Sequence, residues 1–101
     1  MFGLVVRFDL KDADAAAAYD ALVAKTAPGI RDDEPGTLVY TTHTIDGEPL
    51  ARVHYELYAD RAAFEAHERA PHTVEYLRER QPYIAATRVE FLTPGPSKLP
   101  G

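Results

Sequence analysis

The residues of this chain best suited to acid–base chemistry are His54 and Glu56, two positions apart in a segment with strand character. Side chains alternate between the faces of a strand, so these two are neighbours on one face. An imidazole beside a carboxylate can take a proton from a substrate while the carboxylate orients the ring. We therefore predict His54 as a catalytic base and Glu56 as its partner. The alternative is a solvated or ion-paired strand face that includes Arg52.

Two more histidines flank a predicted helix break in the segment His67-Glu-Arg-Ala-Pro-His72. His67 lies three positions after Phe64, so one helix face should carry both. His67 either donates to a phenolic oxygen of a ligand or caps the helix end, where the dipole favours its charge. The helix break explains His72 without a ligand, because proline suits the first turn of a new helix. Helical zinc pairs are four apart, whereas these histidines are five apart, and we predict no metal site.

Composition describes an ordinary soluble domain. The 101 residues are 46% apolar and 27% charged, with a formal net charge of −5 and no basic patch, which argues against nucleic acid or an anionic membrane as partner. The absence of cysteine excludes disulfides, thiolate nucleophiles and zinc–thiolate sites. No apolar run approaches the roughly 20 residues of a membrane span. The N-terminal segment is charged too early for a signal peptide, so a cytoplasmic protein is expected.

Periodicity and turn residues predict four strands and three helices. The predicted strands are residues 3–10, 37–45, 51–58 and 86–92, and the predicted helices are residues 15–25, 60–68 and 72–80. Asp12 or Asp14 should cap the first helix, and Asp60 the second. The pair Pro28-Gly29 should end the first helix, leaving residues 30–36 as a loop.

The predicted order β-α-β-β-α-β is that of the ferredoxin-like split βαβ fold, an α+β plan. It gives a four-stranded antiparallel sheet with helices on one face. Residues 1–92 would fill this plan as one domain, and the Pro- and Gly-rich residues 93–101 would form a tail, disordered or laid across a partner. The other sheet face is left bare, so we expect a homodimer in which two sheets pack face to face.

The hairpin between the second and third strands decides which side chains share a face. In the third strand, Tyr58 lies on the same face as His54 and Glu56. The opposite face is apolar and holds Val53, Tyr55 and Leu57. With an even number of loop residues, the His54 face also gains Val39, Thr41 and His43, and the apolar face gains Leu38 and Tyr40. An odd loop would reverse this assignment.

Three segments resemble the antibiotic biosynthesis monooxygenase (ABM) family: the stretch from Glu34-Pro-Gly to Tyr40, Tyr55-Glu-Leu-Tyr-Ala-Asp60, and Ala63-Phe-Glu-Ala-His67 with Pro71-His72. The resemblance extends from Gly3 to Phe91. It implies a dimeric α+β barrel with a pocket between the sheet and the helices. Members oxidise phenolic, anthrone-type or quinol substrates with O₂ and without flavin, haem or metal, so the resemblance implies no cofactor.

The resemblance also suggests site residues. Aromatic-polyketide oxygenases of the family contact substrate through Asn, Trp and Tyr at the positions of His54, Tyr58 and Phe64, and quinol-oxidising members are closer in pattern. Haem-degrading relatives need an Asn-Trp-His set, and this chain has neither Asn nor Trp. The predicted substrate-binding residues, above an apolar floor of Leu4, Val6 and Phe8, are Tyr58, Phe64, His67, His43 and Tyr76.

The resemblance therefore implies a cofactor-free monooxygenase of small aromatic substrates. The alternative is a non-catalytic protein that binds a small molecule or assists a pathway on the same scaffold, because a fold does not determine a function.

Overall fold

The computed structural model of the chain describes residues 1–99. In chain order the elements are β1 (Phe2–Leu10), α1 (Ala13–Asp33), β2 (Thr37–Ile45), β3 (Glu48–Tyr58), α2 (Arg61–Arg69), α3 (Pro71–Glu79), a 3₁₀ turn (Gln81–Tyr83) and β4 (Ile84–Leu92). The predicted order of elements is confirmed. The last two residues of the predicted tail, 100 and 101, lie outside the described residues.

The four strands form one antiparallel sheet in the order β2-β3-β1-β4. The helices cover one face of it, and the core lies between. Every second side chain of β1 points into this core, beginning with Leu4 and Val6, and packs with Tyr19 of α1 and Tyr76 of α3. The predicted ferredoxin-like α+β architecture is confirmed, and it places the His54 face of β3 beneath the helices.

Aspartate caps begin two helices as predicted. The Asp12 carboxylate accepts a hydrogen bond of 2.7 Å from the backbone N–H of Ala15, and Asp60 accepts one of 2.8 Å from Ala63. Each carboxylate satisfies a free donor of the first helical turn. These caps fix where α1 and α2 leave the sheet.

The predicted end of the first helix at Pro28-Gly29 is wrong, because α1 continues to Asp33. Ile30 beyond the proline is 4% exposed, so the buried stripe of the helix extends past the break signal. Gly29 also permits a close approach: a Cβ at this position would lie 2.7 Å from the ring of His72. Tertiary packing against α3 therefore outweighs the local cost of proline and glycine.

The predicted even-loop register of the hairpin is also wrong. Tyr40 pairs with Glu56 and Thr42 with His54, so these β2 residues share the helix-covered face. His43 pairs with Val53 on the opposite face. The cause is a bulge next to the turn. Ile45 pairs with Glu48, but the preceding residue, Thr44, pairs with Arg52. A shift of this kind exchanges the faces of a whole strand.

Candidate functional site

A cavity of about 140 Å³ lies between the helix-covered sheet face and helices α2 and α3. Its floor consists of Leu4, Val6 and Phe8 of β1, as the sequence predicted. Aromatic rings of Phe64, Tyr40 and Tyr76 contribute to its walls. The lining is mostly apolar with a few polar groups, which is the usual character of a small-molecule site.

Glu56 brings a buried carboxyl group to this cavity. The residue is 7% exposed, and its Oε1 accepts a hydrogen bond of 2.5 Å from the Tyr58 hydroxyl. Burial raises the pKa of Glu56, although this hydrogen bond and the charge of His67 oppose the effect. A carboxylate of raised pKa in a dry pocket is a stronger base than one in water.

His54 also reaches the cavity but does not pair with Glu56. Its Nε2 lies 3.1 Å from the Tyr19 hydroxyl and its Nδ1 lies 3.2 Å from the Tyr40 hydroxyl. Burial, together with the positive charge of Arg80, lowers the pKa of His54 to about 4. The ring is therefore neutral at pH 7, with one nitrogen donating to a tyrosine and the other accepting. The predicted orientation of His54 by Glu56 is replaced by a bridge between two tyrosines.

The tyrosine bridge continues to α3. The hydroxyl oxygens of Tyr19 and Tyr76 are 2.5 Å apart, and burial raises the pKa of both phenols. A chain of hydrogen bonds thus runs from Tyr76 through Tyr19 and His54 to Tyr40, and it connects helices α1 and α3 with the sheet. The predicted hairpin register placed Tyr40 on the opposite face, and Tyr19 was not a predicted site residue, so this network was not predicted.

Two predicted contact residues lie outside the cavity wall. Tyr58 is 0% exposed and packs behind Glu56, with its ring 5.3 Å from that of Phe64 between centroids. His43 is exposed on β2 and hydrogen-bonds to Thr41 on the face away from the cavity. It borders a separate cleft of about 300 Å³ between α1 and the hairpin. The bulge in the hairpin is the reason for the misplacement of His43.

His67 lines the cavity from α2 and belongs to a cluster that the sequence did not reveal. Its Nδ1 lies 2.7 Å from Oε1 of Glu34, and its Nε2 lies 3.8 Å from Oε1 of Glu56. The second oxygen of Glu34 is hydrogen-bonded to Nε2 of His72. Burial would raise the pKa of Glu34, but hydrogen bonds from His72 and Thr37 and the charge of His67 lower it.

Glu34 stands at the C-terminal end of α1, where the helix dipole disfavours an anion. An acidic residue at a predicted helix C-terminus therefore indicates that the side chain is held there by contacts with other residues and not by the helix itself. The signal was hidden because Pro28-Gly29 suggested that the helix ended earlier.

Two residues that line the cavity carry a buried polar atom that has no partner among residues 1–99. The Nε of Arg80 and the hydroxyl of Thr73 are buried without a hydrogen bond. The guanidinium carbon of Arg80 lies 5.1 Å from the centroid of the Phe8 ring and 5.3 Å from that of Tyr76. An unsatisfied buried donor costs about 1–3 kcal/mol, so a ligand that supplies an acceptor here gains by satisfying it.

Over residues 1–99, no group of three or more histidine, cysteine, aspartate or glutamate side chains is arranged to hold a metal ion. Within the same range, no helix is long and apolar enough to cross a membrane.

A family model described as antibiotic biosynthesis monooxygenase matches residues 1–79. The chain belongs to this family. ABM members with solved structures share its fold over nearly the whole length. No curated protein sequence matches the chain.

Three solved structures illustrate the likeness. A proposed antibiotic biosynthesis monooxygenase from Bacteroides thetaiotaomicron has a TM-score of 0.89 at 23% identity, covering 99% of this chain and 94% of its own. A Mycobacterium tuberculosis protein has a TM-score of 0.86 at 24% identity, covering 95% and 96%. A proposed antibiotic biosynthesis monooxygenase from Caulobacter crescentus has a TM-score of 0.84 at 25% identity, covering 90% and 86%. At these identities the likeness establishes the ABM fold.

Proposed function

We propose that this ABM protein is a cofactor-independent monooxygenase that oxidises a small phenol or quinol with O₂. The observation that carries the proposal is the pairing, in one cavity, of a buried carboxyl of raised pKa with a cationic side chain that has an unsatisfied donor. Glu56 can remove the proton of a phenolic hydroxyl, and Arg80 can hold the oxyanion that remains. Thr73 supplies a further hydrogen bond.

The volume of the cavity favours substrates with one aromatic ring. A protein cavity of about 150 Å³ is filled by benzene, and the cavity here measures about 140 Å³. A three-ring anthrone, one of the substrate classes expected from the sequence, requires the helices to move apart. We therefore propose single-ring hydroquinones and phenols as the substrate class.

The proposed reaction of a hydroquinone yields a hydroxyquinone and water. Glu56 takes the hydroxyl proton, and the electron pair stays on the oxygen facing Arg80. The electron-rich ring passes one electron to O₂, and the resulting radicals combine to form a carbon–oxygen bond. The peroxide then takes up one proton through Glu56. The O–O bond then breaks, and the distal oxygen leaves as water with the hydrogen of the ring carbon.

The surroundings of Glu56 suit this role. A phenol has a pKa near 10, and an ordinary carboxylate is a poor base for it. Burial raises the pKa of Glu56 and so reduces the difference between this pKa and that of the phenol. The cationic Arg80 lowers the cost of the phenolate in the same cavity. The apolar floor excludes water that would otherwise compete for the oxyanion.

We also propose that the protein acts as a homodimer. The sheet face away from the helices carries a row of partly exposed apolar side chains, namely Val5, Val39, Val53 and Tyr55. Monomers seldom expose continuous apolar patches of more than a few hundred Å². Face-to-face pairing of two such sheets about a two-fold axis covers both rows.

An oxygen electrode tests the proposed activity. Single-ring hydroquinones and phenols, with an anthrone for comparison, are incubated with the protein in air and under nitrogen. We expect oxygen-dependent loss of a single-ring substrate above its rate of autoxidation, and a loss of turnover of about 100-fold or more in Glu56→Gln. Binding without turnover by the wild-type protein would contradict the monooxygenase and favour a ligand-binding protein. Glu65→Gln, at an exposed position of α2, is the matched control.

A further inference from the structure

A continuous line of titratable side chains leads from the cavity to the surface. Glu56 lies at the cavity, and its Oε1 is 3.8 Å from Nε2 of His67. The other ring nitrogen of His67 is 2.7 Å from Glu34, whose second oxygen is hydrogen-bonded to His72. The exposed fraction of the side chain is 9%, 8% and 7% for the three inner residues and 20% for His72. Only the last member therefore reaches solvent to an appreciable extent.

We propose that Glu34, His67 and His72 form a proton relay that connects Glu56 with solvent. This inference rests on the proposed function, in which Glu56 takes a proton from the substrate. The proton passes from Glu56 to Nε2 of His67 after a side-chain movement that closes the 3.8 Å gap. His67 releases the proton on Nδ1 to Glu34, and His72 passes one to water from its second nitrogen. No bond between heavy atoms changes, and the starting protonation of each carrier returns when the proton that the peroxide takes up enters along the same path.

The sheet and helices present further polar groups to this relay. They are Thr37, Tyr40 and Tyr58 from the sheet side, Glu68 from α2 and Arg80 from α3. The Thr37 hydroxyl donates to Oε1 of Glu34 at 2.7 Å, which holds that carboxylate in place. The negative charge of Glu68 favours a proton on Glu56, whereas the positive charge of Arg80 opposes it.

Helix packing keeps the outer half of the relay in register. Gly29 of α1 approaches the His72 ring so closely that an added Cβ would lie 2.7 Å from it. The ring is thus held between the helix backbone and Glu34. A carboxylate that only joined helices would need neither a second histidine at the surface nor a first histidine facing the cavity. In this arrangement His67 faces the cavity, His72 reaches solvent, and the carboxylate of Glu34 between them can accept a proton.

The alternative is that Glu34 only fastens α1 to α2 and α3. The exchange of the His67 ring proton with solvent separates the two roles, because this exchange does not depend on turnover. Histidine labelled with ¹⁵N makes the ring N–H visible by NMR. His72→Gln removes the exit of the relay, whereas Glu34→Gln keeps the shape of the carboxyl but cannot carry a proton. His43→Gln is the control.

The relay predicts that both His72→Gln and Glu34→Gln slow this exchange by about tenfold or more, because the ring proton loses its route to solvent and must wait for a local opening of the structure that costs at least about 1.4 kcal/mol more. A purely structural cluster predicts the opposite sign, because loosening the helices admits water and speeds exchange. Unchanged or faster exchange in either variant overturns the relay. Slower exchange in both, with no turnover by the wild-type protein, retains the relay and overturns only the monooxygenase.

Discussion

The neutral state of His54 has a direct consequence for stability. Its pKa of about 4 in the folded chain lies below the ordinary value of 6.5, chiefly because the ring is buried. The unfolded chain therefore binds a proton that the folded chain refuses as the pH falls from about 6.5 to 4. The stabilisation is fully present above pH 6.5, is lost through this window, and amounts to roughly 3 kcal/mol in total.

We expect the melting temperature to fall between pH 7 and pH 4 by more in the wild-type protein than in His54→Gln. The variant retains groups that can bond to Tyr19 and Tyr40 but has no proton to gain. Calorimetry of both proteins across this range checks the difference, since other carboxyl groups contribute equally to each. If the melting temperatures of the two proteins fell in parallel with pH, the folded and unfolded chains would take up the His54 proton equally, and the lowered pKa of His54 would be contradicted.

Arg80 gives a prediction about the ionisation of a bound phenol. p-Nitrophenol has one ring, and its absorbance reports the phenolate. Because the positive charge of Arg80 lines the cavity and its buried Nε has no other partner, the bound phenol should ionise at a lower pH in the wild-type protein than in Arg80→Met. We expect the affinity for the phenolate to fall by about tenfold or more, the value of a hydrogen bond to a charged group.

Arg78 on the same helix is exposed, so Arg78→Met tests for a general loss of positive charge. Absorbance titration of the bound ligand compares the three proteins. Equal phenolate affinity in the wild-type protein and Arg80→Met would remove Arg80 from the oxyanion site.

Individual residues show how far sequence reasoning reached. Five of the seven predicted site residues line the cavity: His54, Glu56, Phe64, His67 and Tyr76. Their types and spacing predicted a polar strand face under helices, and alternation along one strand is a local property. Partners from other elements were not predicted, because Tyr19, Glu34 and Arg80 reach the site only through tertiary packing.

At the scale of elements, strand and helix identities followed from local signals, whereas their relative registers did not. Both capping aspartates and the turn at Asp46-Gly47, where Gly47 has a φ of 81°, were visible in the sequence. The bulge that exchanges the faces of β2 has no comparably strong signal apart from Pro49, which cannot donate to a ladder. One irregular step therefore moved His43 out of the cavity and Tyr40 into it.

Gly29 tests why α1 continues past its break signal. In an open helix Gly→Ala stabilises by up to about 1 kcal/mol. Here the new Cβ would lie 2.7 Å from the His72 ring, which Glu34 holds from the other side. We expect Gly29→Ala to destabilise the fold by about 1–3 kcal/mol.

Urea unfolding of the variant measures this change, with Gly95→Ala, where no atom lies within 4 Å of the added Cβ, as the control. A rise in stability of Gly29→Ala would mean that the α1–α3 contact relaxes freely. The role assigned to helix packing in positioning His72 would then be lost.

At the scale of the whole molecule, the uncovered sheet face predicts the oligomeric state. Light scattering should give twice the chain mass of 11.2 kDa. Tyr55→Glu would place a charge in the centre of the paired sheets, where it has no partner, and should cause dissociation or aggregation. Glu65→Gln, at an exposed position of α2 away from the sheet, is the control. A soluble wild-type monomer at micromolar concentration would show that the apolar row is tolerated in water.

The most direct test of the proposed monooxygenase follows the atoms of O₂ into the product. The purified protein, with a chelator and no added flavin, is incubated with a single-ring hydroquinone under ¹⁸O₂, and the products are analysed by mass spectrometry. The balanced reaction predicts one ¹⁸O atom in the hydroxyquinone and one in water, formed at a rate that Glu56→Gln lowers by about 100-fold. An unlabelled product, release of hydrogen peroxide in place of water, or equal rates in the two proteins would contradict a monooxygenase that begins with proton removal by Glu56.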